Sequence, residues 1–248
     1  MARFENKSYV VTGGASLIGL AIAKTIIADG GRVVLSDLKE EGRAEAEAVL
    51  GEQGVYLAGD VREDAYLDKL IDTAVSRHGG LDGLVNAAAS FEDRTLEASR
   101  EEWLRSLDIN LASAAILTQK AVPPIKKRGG GAIVYVGSIS AYRAQPNRMV
   151  YPVTKAAVVM LAKNAALLLA PDKIRVNTVS PGWTWSRNID KRYGGRERAD
   201  SLAAEFQALG RLAEPEEIAS AVAYLLSPEA SFITGTDLAV DGGYNAMG

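Results

Sequence analysis

Short apolar runs alternate with helical segments along the whole of this 248-residue chain, and this alternation constrains its fold more than any other feature. Alternating strands and helices form a parallel sheet whose two faces are covered by the helices. The runs that fit strands are 8–12, 32–37, 54–61, 81–89, 132–138, 173–182 and 236–243. Because no linker or repeat interrupts them, they predict one α/β domain over 1–248, with a doubly wound parallel sheet of about seven strands and helices on both faces.

A glycine-rich turn, GGASLIG, joins the first strand to an apolar helix. This order presents backbone N–H groups and a helix N-terminus to a phosphate, as in Rossmann-type dinucleotide-binding sheets. Gly13, Gly14 and Gly19 permit a tight turn and close packing. Many strand-to-helix turns use glycine, so the turn alone is a weak signal. Its position directly after the first strand favours a phosphate site.

Asp37 ends the second predicted strand, 18 residues after Gly19. An acidic residue about 20 residues after the glycine turn is expected to bind a ribose 2′-hydroxyl. Its carboxylate would also repel a 2′-phosphate, so we predict NAD rather than NADP as the cofactor. The alternative interpretation of Asp37 is an ordinary N-cap for the helix that follows.

Tyr151 and Lys155 are four residues apart, and Pro152 suits the first turn of a helix. Positions i and i+4 share one helix face, so the ammonium group can lie close to the phenol. A neighbouring cation lowers the phenol pKa from about 10, which would give a general acid/base usable near neutral pH. Ser138, at a predicted strand end, could donate a hydrogen bond to a substrate oxygen. On spacing alone, such a pair is more often a solvated helix face.

Several further residues fall at or just after predicted strand ends, where parallel sheets bind ligands. With Gly13 and Asp37, they are Asp60, Asn86, Ser138, Pro181 and Gly182. We therefore expect one cleft to hold them all. Asn110 lies inside a long predicted helix, and the residues alone favour a polar side chain satisfied among packed helices.

Composition excludes other classes of function. The net charge of −3 offers no basic field for nucleic acid. The chain has no cysteine and one histidine, His78, which excludes disulfides, thiol catalysis and histidine-cluster or cysteine-ligated metal sites, and makes a Ser-His-Asp triad doubtful. The N-terminus has no apolar signal core and we expect no membrane-spanning run, so the predicted location is cytoplasmic.

Together these segments resemble the short-chain dehydrogenase/reductase family over nearly the whole chain. TGGASLIG, Asp60-Val61, NAAA, PGWTWS and AVDGGY are similar to the family's motifs and occur in the same order. The family's catalytic tetrad is matched by Asn110, Ser138, Tyr151 and Lys155, with Ser138 13 residues before Tyr151.

The resemblance implies a role for each residue of the tetrad. Tyr151 would exchange a proton with the substrate oxygen, and Ser138 would orient that oxygen. Lys155 would lower the pKa of Tyr151 and bind the nicotinamide ribose, and Asn110 would hold a water that links Lys155 to solvent. The implied cofactor contacts are Gly13, Ser16, Leu17, Ile18, Gly19, Asp37, Asp60, Val61, Asn86, Ala87, Tyr151, Lys155, Pro181, Gly182, Thr184 and Ser186.

The chain departs from the family pattern at two motifs. Leu17 occupies the place of a third glycine in the turn, which puts the detail of the phosphate contact in question. Ala87 and Ala89 replace asparagine and glycine after the fourth strand, without removing a catalytic group.

Two segments, 141–150 and a lid at 183–212, should wall the substrate pocket. They offer aromatic, amide and guanidinium groups, which suit a small polar alcohol such as a sugar, polyol or sugar acid. The lining residues considered are Tyr142, Arg143, Gln145, Asn147, Arg148, Trp183, Trp185, Arg187, Asn188, Arg192 and Tyr193. The arginines could bind an anionic substrate, or they could be solvated surface.

The predicted function is therefore the NAD-dependent interconversion of a secondary alcohol and a ketone on a small-molecule substrate. The alternatives are an NADPH-dependent 3-oxoacyl thioester reductase and a non-catalytic NAD-binding protein. The family mostly forms homotetramers, and the helices around Asn110 and Tyr151 carry wide apolar faces. We therefore expect a homo-oligomer, with a tetramer as the predicted state.

Overall fold

A single sheet of seven parallel strands forms the centre of the computed structural model, which describes residues 2–247. The strands are β1 (Ser8–Thr12), β2 (Arg32–Asp37), β3 (Gly54–Ala58), β4 (Gly83–Asn86), β5 (Gly131–Val136), β6 (Ile174–Pro181) and β7 (Asp237–Val240). Their order is β3-β2-β1-β4-β5-β6-β7. The strand order reverses between β1 and β4, which opens a crevice at their carboxyl ends. The predicted doubly wound α/β sheet is confirmed.

Helices cover both faces of this sheet. They are α1 (Leu17–Ala28), α2 (Arg43–Leu50), α3 (Asp64–His78), α4 (Arg100–Leu107), α5 (Ser113–Lys127), α6 (Val150–Leu169), α7 (Arg187–Tyr193), α8 (Arg196–Ala203) and α9 (Pro215–Leu226). Successive strand residues point to opposite faces. Val11 accordingly packs in the core under α1 and α9, whereas Val10 packs in the core under α3, α5 and α6.

Five of the seven strands end one to three residues earlier than their sequence runs suggest, among them β3, β4 and β5. β3 ends at Ala58, and β5 ends at Val136, so Asp60 and Ser138 lie in the loops that follow. After β4, the N–H groups of Ala87 and Ala88 donate to the hydroxyl of Thr12, each at 3.2 Å, instead of continuing the strand. Of the residues predicted at or after strand ends, Asp37, Asn86 and Pro181 are the last residues of their strands, and the others lie on loops at the same edge of the sheet.

The long helix predicted around Asn110 consists of α4 and α5 joined by a π-helical turn, Asp108–Ala112. The lid segment, predicted to be irregular, contains α7 and α8. Ser186 caps α7 by accepting a hydrogen bond from the Ile189 N–H at 3.2 Å. Gly194 and Gly195 separate the two helices, because their φ values of +74° and +121° are not helical.

Helix α6, extended by a 3₁₀ turn to Asp172, is long and apolar enough to cross a membrane by length and composition. The expectation that no run would reach that length was wrong for this segment. Core helices of globular proteins meet the same criterion. Nine residues of α6 are buried, including Tyr151 and Lys155, so its apolar character follows from packing against the sheet.

Candidate active site

The glycine turn after β1 packs directly on the loop after β4. Gly13 has a φ of +71°, and a Cβ there would lie 2.8 Å from backbone atoms of Ala87 and Ala88. A Cβ on Gly19 would lie 2.3 Å from the Gly13 carbonyl oxygen. Glycine is therefore required at both positions by close backbone approach.

Ser16 and Leu17 begin helix α1 at this turn. The Ser16 hydroxyl accepts from the Gly19 N–H at 3.0 Å and donates to the Gly13 carbonyl at 2.7 Å. Leu17 is the first helical residue, and Ile18 packs against the core. The turn closes without a third glycine because Ser16 supplies the helix cap. The first turn of a helix leaves N–H groups for an external acceptor, so this end of α1 fits a phosphate.

Asp37 lies against the same turn. Its Oδ2 accepts from the Ala15 N–H at 2.8 Å, and its Oδ1 accepts from the Leu38 N–H at 2.7 Å. Helix α2 begins only at Arg43, so the alternative interpretation of Asp37 as its N-cap was wrong. A carboxylate has about four lone-pair sites, so each oxygen keeps acceptor capacity for the hydroxyls of a ribose.

Asn86, at the end of β4, is 7 % exposed, and its Nδ2 has no hydrogen-bond partner within residues 2–247. It lines a cavity of about 10 Å³ together with Val61, Asn110 and Lys155. An unpaired buried donor at the strand-order reversal fits a ligand acceptor. Asp60 lies at the rim of the crevice, where the guanidinium of Arg62 pairs with it and lowers the pKa of its carboxyl group.

The buried side-chain amide of Gln207 bonds to the start of the lid, just after β6. The Gln207 side chain accepts from the Trp183 N–H at 2.6 Å, and a Cβ on Gly182 would lie 2.3 Å from the same Gln207 oxygen. Gly182 follows Pro181, the last residue of β6. Thr184 is buried and donates to the Gly182 carbonyl at 3.2 Å, while Ser186 caps α7. Gln207 is 1 % exposed, and no motif or spacing in the sequence pointed to it.

Tyr151 and Lys155 lie in the first turns of α6 and are both buried, with 9 % and 3 % of their surfaces exposed. The Lys155 Nζ lies 5.6 Å from the centroid of the Tyr151 ring and donates to the Val136 carbonyl at 2.7 Å. The side chain of Lys155 thus extends from α6 to the end of β5 and lies close to the Tyr151 ring.

Burial dominates the ionisation of both groups. It raises the pKa of Tyr151 to about 12, although a hydrogen bond with Ser138 and the charge of Arg148 oppose the rise. It lowers the pKa of Lys155 to about 8. Ser138 and Arg148, and not Lys155, are the groups that lower the pKa of Tyr151, because the Lys155 ammonium is directed to a backbone carbonyl. The expected lowering of that pKa by Lys155 is therefore not supported. At neutral pH the phenol carries its proton.

Ser138 belongs to a chain of hydroxyl and amide groups beside Tyr151. Its Oγ donates to the Ser140 Oγ at 3.1 Å, and Ser140 donates to the Gln145 side-chain oxygen at 2.7 Å. Sequence reasoning missed Ser140, although a second serine two residues after Ser138 was a usable signal.

The Asn110 side chain connects the loop after β4 to helix α6. Its Oδ1 accepts from the Ser90 N–H at 2.6 Å, and its Nδ2 donates to the Ser90 carbonyl at 3.1 Å and to the Thr154 hydroxyl at 2.9 Å. The interpretation from the residues alone, a satisfied polar side chain among packed helices, describes these contacts. Thr154 lies one helical turn after Tyr151 on α6, so these contacts hold Asn110 close to the turn that carries Tyr151.

The loop after β4 brings two residues to Tyr151 that carry no sequence motif. The Phe91 ring stacks on the Tyr151 ring, with centroids 5.2 Å apart and planes at 28°. The Asp93 carboxylate accepts from the Tyr151 N–H at 3.1 Å. No spacing rule predicts these contacts, because they depend on the path of an irregular loop.

The arginines expected to line the substrate pocket separate into two groups. Arg148 lies over the Tyr151 ring, 5.7 Å from its centroid. Arg143 instead donates to the Asn245 carbonyl at 2.8 Å, and Tyr142 bonds to Asp237. Both line a second groove of about 510 Å³. The structure therefore separates Tyr142 and Arg143 from Tyr151.

In the lid, the remaining arginines pair with acidic groups or rings. Arg187 donates to the Ala15 carbonyl at 2.6 Å and pairs with Glu45. Arg196 pairs with Asp200 and Glu214. Trp183 stacks on Tyr193, with ring centroids 5.5 Å apart. Most lid arginines thus have partners within the chain.

Comparisons with known proteins agree with this geometry. Residues 13–245 match the family model described as Enoyl-(Acyl carrier protein) reductase. The chain is 39 % identical over 246 residues to Dehydrogenase/reductase SDR family member 4 of Bos taurus, covering 96 % of this chain and 87 % of the relative. It is 36 % identical over 250 residues to cyclopentanol dehydrogenase of Comamonas sp. (strain NCIMB 9872), covering 99 % and 100 %. This chain therefore belongs to the short-chain dehydrogenase/reductase family, whose members are oxidoreductases that use nicotinamide cofactors.

Proposed function

We propose that this protein is an NAD-dependent dehydrogenase that interconverts a secondary alcohol and a ketone. The observation that carries the proposal is the buried phenol of Tyr151 beside the hydroxyl of Ser138 at the carboxyl edge of the sheet, with Lys155 on the same helix. Cyclopentanol, named for one relative, is itself a secondary alcohol.

The residues of this chain divide the work of the reaction. When bound, a nicotinamide supplies or accepts the hydride at the substrate carbon. Tyr151 gives its phenol proton to the carbonyl oxygen during reduction and becomes a phenolate; in the oxidation direction the phenolate form of Tyr151 takes the hydroxyl proton. Ser138 holds the substrate oxygen by a hydrogen bond. Lys155 and Asn86 would hold the cofactor at the nicotinamide end of the crevice.

The preference for NAD rests on Asp37. Its carboxylate lies against the glycine turn, where it would accept hydrogen bonds from the ribose hydroxyls and repel a 2′-phosphate. The direct test measures binding of NADH and NADPH to the purified protein. Tighter binding of NADPH would contradict the proposal.

The groups beside Tyr151 favour a small polar substrate. Ser140, Gln145 and Arg148 offer a hydroxyl, an amide and a guanidinium on the side of the phenol that faces segment 141–150. A screen of NADH formation should include polyols, sugars, hydroxy acids, cyclopentanol and steroids. Activity confined to cyclopentanol and other apolar alcohols would contradict a polar substrate while leaving the reaction class intact.

A second candidate is an NADPH-dependent reductase of 3-oxoacyl thioesters, favoured by the acyl carrier protein in the description of the matching family. Oxidation of NADPH by a 3-oxoacyl thioester, without alcohol oxidation by NAD, would support it. A protein that binds NAD and turns over neither substrate class would instead be non-catalytic.

We also propose that the protein forms a homo-oligomer, with a tetramer as the expected state, in the cytoplasm. Val153, Met160 and Leu167 recur every seven residues along α6 and are 46 %, 57 % and 79 % exposed. An apolar stripe of this kind favours burial against another helix face. Light scattering at micromolar concentration tests the assembly. A monomer would contradict it, and Leu167→Glu should shift an oligomer towards smaller species.

A further inference from the structure

Helix α6 has no N-terminal cap from its own segment. Met149 occupies the cap position and makes no side-chain hydrogen bond to the helix. The cap comes instead from Asp93, whose Oδ2 accepts from the Met149 N–H at 2.8 Å and from the Tyr151 N–H at 3.1 Å. These hydrogen bonds satisfy N–H groups that the first helical turn leaves without intrahelical partners. The turn that carries Tyr151 is therefore held by a carboxylate 58 residues away in sequence.

Asp93 is one end of a short connection, Ser90–Asp93, that we call the strap. At its other end, both backbone groups of Ser90 bond to the Asn110 side chain, which also bonds to Thr154. Phe91 lies between these two anchors and stacks on the Tyr151 ring. The strap thus contacts the backbone of Tyr151 at one point and its side chain at another.

We propose that Asp93 is a positioning residue, which fixes the first turn of α6 so that the Tyr151 phenol meets the substrate oxygen. A negative charge at a helix N-terminus is favourable, and here it bonds the backbone of the acid/base residue itself. A displacement of about 1 Å at a reacting group can cost roughly 10²-fold in rate. The kinetic consequence rests on the proposed dehydrogenase function, whereas the structural consequence does not.

The test compares Asp93→Ala with Asp93→Asn and with Glu92→Ala, a neighbouring carboxylate that makes no bond to α6. Oδ2 accepts from both Met149 and Tyr151, so an asparagine oxygen at that place keeps both bonds. Oδ1 also accepts from Met149 and from Thr95, each at 3.0 Å, and the asparagine NH2 group loses these two bonds. Asp93→Ala should lower kcat by about tenfold or more, with the Kd of NADH unchanged. Hydrogen exchange of backbone amides 149–155 should become faster. Asp93→Asn should restore both properties in part, because it keeps the two bonds made by Oδ2 and loses those made by Oδ1. Glu92→Ala should resemble the wild type.

Unchanged exchange and unchanged kcat in Asp93→Ala would overturn the proposal, as would equal changes in Glu92→Ala. A loss of kcat with no rescue by Asp93→Asn would also overturn it. If Asp93→Ala does not fold, Asp93→Ser takes its place, because a hydroxyl reaches fewer of these N–H groups and the same losses are expected. If the wild type oxidises no alcohol with either nucleotide, the dehydrogenase proposal fails, and the exchange measurement still decides whether Asp93 holds α6.

Discussion

The two ends of the crevice are built in different ways. At the nucleotide end, Gly13, Gly19 and Asp37 come from one β-α-β unit, and backbone approach decides which residues fit. At the other end, Tyr151 contacts residues from a loop that is distant in sequence, among them Phe91 and Asp93 after β4. The first end depends on local chain geometry, and the second depends on long-range packing. Substitutions should therefore change nucleotide affinity at the first end and turnover at the second.

The sharpest test of this difference is Tyr151→Phe. Removing the phenol hydroxyl should lower turnover by roughly 10²-fold or more, because the proton donor is lost, while NADH affinity is kept. Steady-state kinetics and nucleotide titration measure the two properties. Tyr142→Phe is the matched control, since Tyr142 bonds to Asp237 outside the site and should turn over like the wild type. Near-normal turnover in Tyr151→Phe would remove Tyr151 from the mechanism.

At the nucleotide end, Gly19→Ala should have the opposite signature. The new Cβ would lie 2.3 Å from the Gly13 carbonyl, and overpacking of this kind costs about 1–3 kcal/mol. We expect nucleotide affinity to fall by about tenfold or more, a difference of about 1.4 kcal/mol. Gly79→Ala is the control, because its φ of +80° makes alanine destabilising there by backbone strain, while no atom lies within 4 Å of the new Cβ. Equal affinity losses in both variants would show that the effect is general destabilisation.

Asp37→Ala should alter the choice of nucleotide. Hydrogen bonds to a charged group contribute about 1.5–3 kcal/mol, so the preference for NADH over NADPH should narrow by about tenfold. Binding titrations with both nucleotides measure the change. Glu40→Ala, an exposed carboxylate paired with Arg43, should leave the preference unchanged. An unaltered preference in Asp37→Ala would mean that another group selects the nucleotide.

The smallest effect is expected from Arg148→Ala. The positive charge of Arg148 favours the phenolate and lowers the pKa of Tyr151, so its removal should raise that pKa. Oxidation needs the phenolate as base. The pH at which the oxidation rate increases should therefore shift upward in Arg148→Ala, by a fraction of a pH unit. Arg143→Ala should leave the pH profile in place, since Arg143 bonds to Asn245. Equal shifts in both variants would refute the assigned role of Arg148.

The sequence predicted the sheet and the tight glycine turn after β1 for a common physical reason. Alternating apolar runs must be buried on both faces of a parallel sheet, and a tight turn with close backbone contact tolerates only glycine. These requirements act over short stretches, so they leave a local pattern such as Gly13 to Gly19. The Tyr151–Lys155 spacing likewise identified two groups that α6 buries together.

The sequence by itself therefore determined the fold class, the glycine turn, the position of Asp37 and the shared helix of Tyr151 and Lys155. Only the tertiary structure decided the direction in which the pKa of Tyr151 shifts, because burial raises it. It also decided that Arg148 rather than Arg143 faces the phenol, and that Asp93 caps the helix that carries it. Desolvation and contacts between distant loops depend on the whole packed chain, and no local spacing records them.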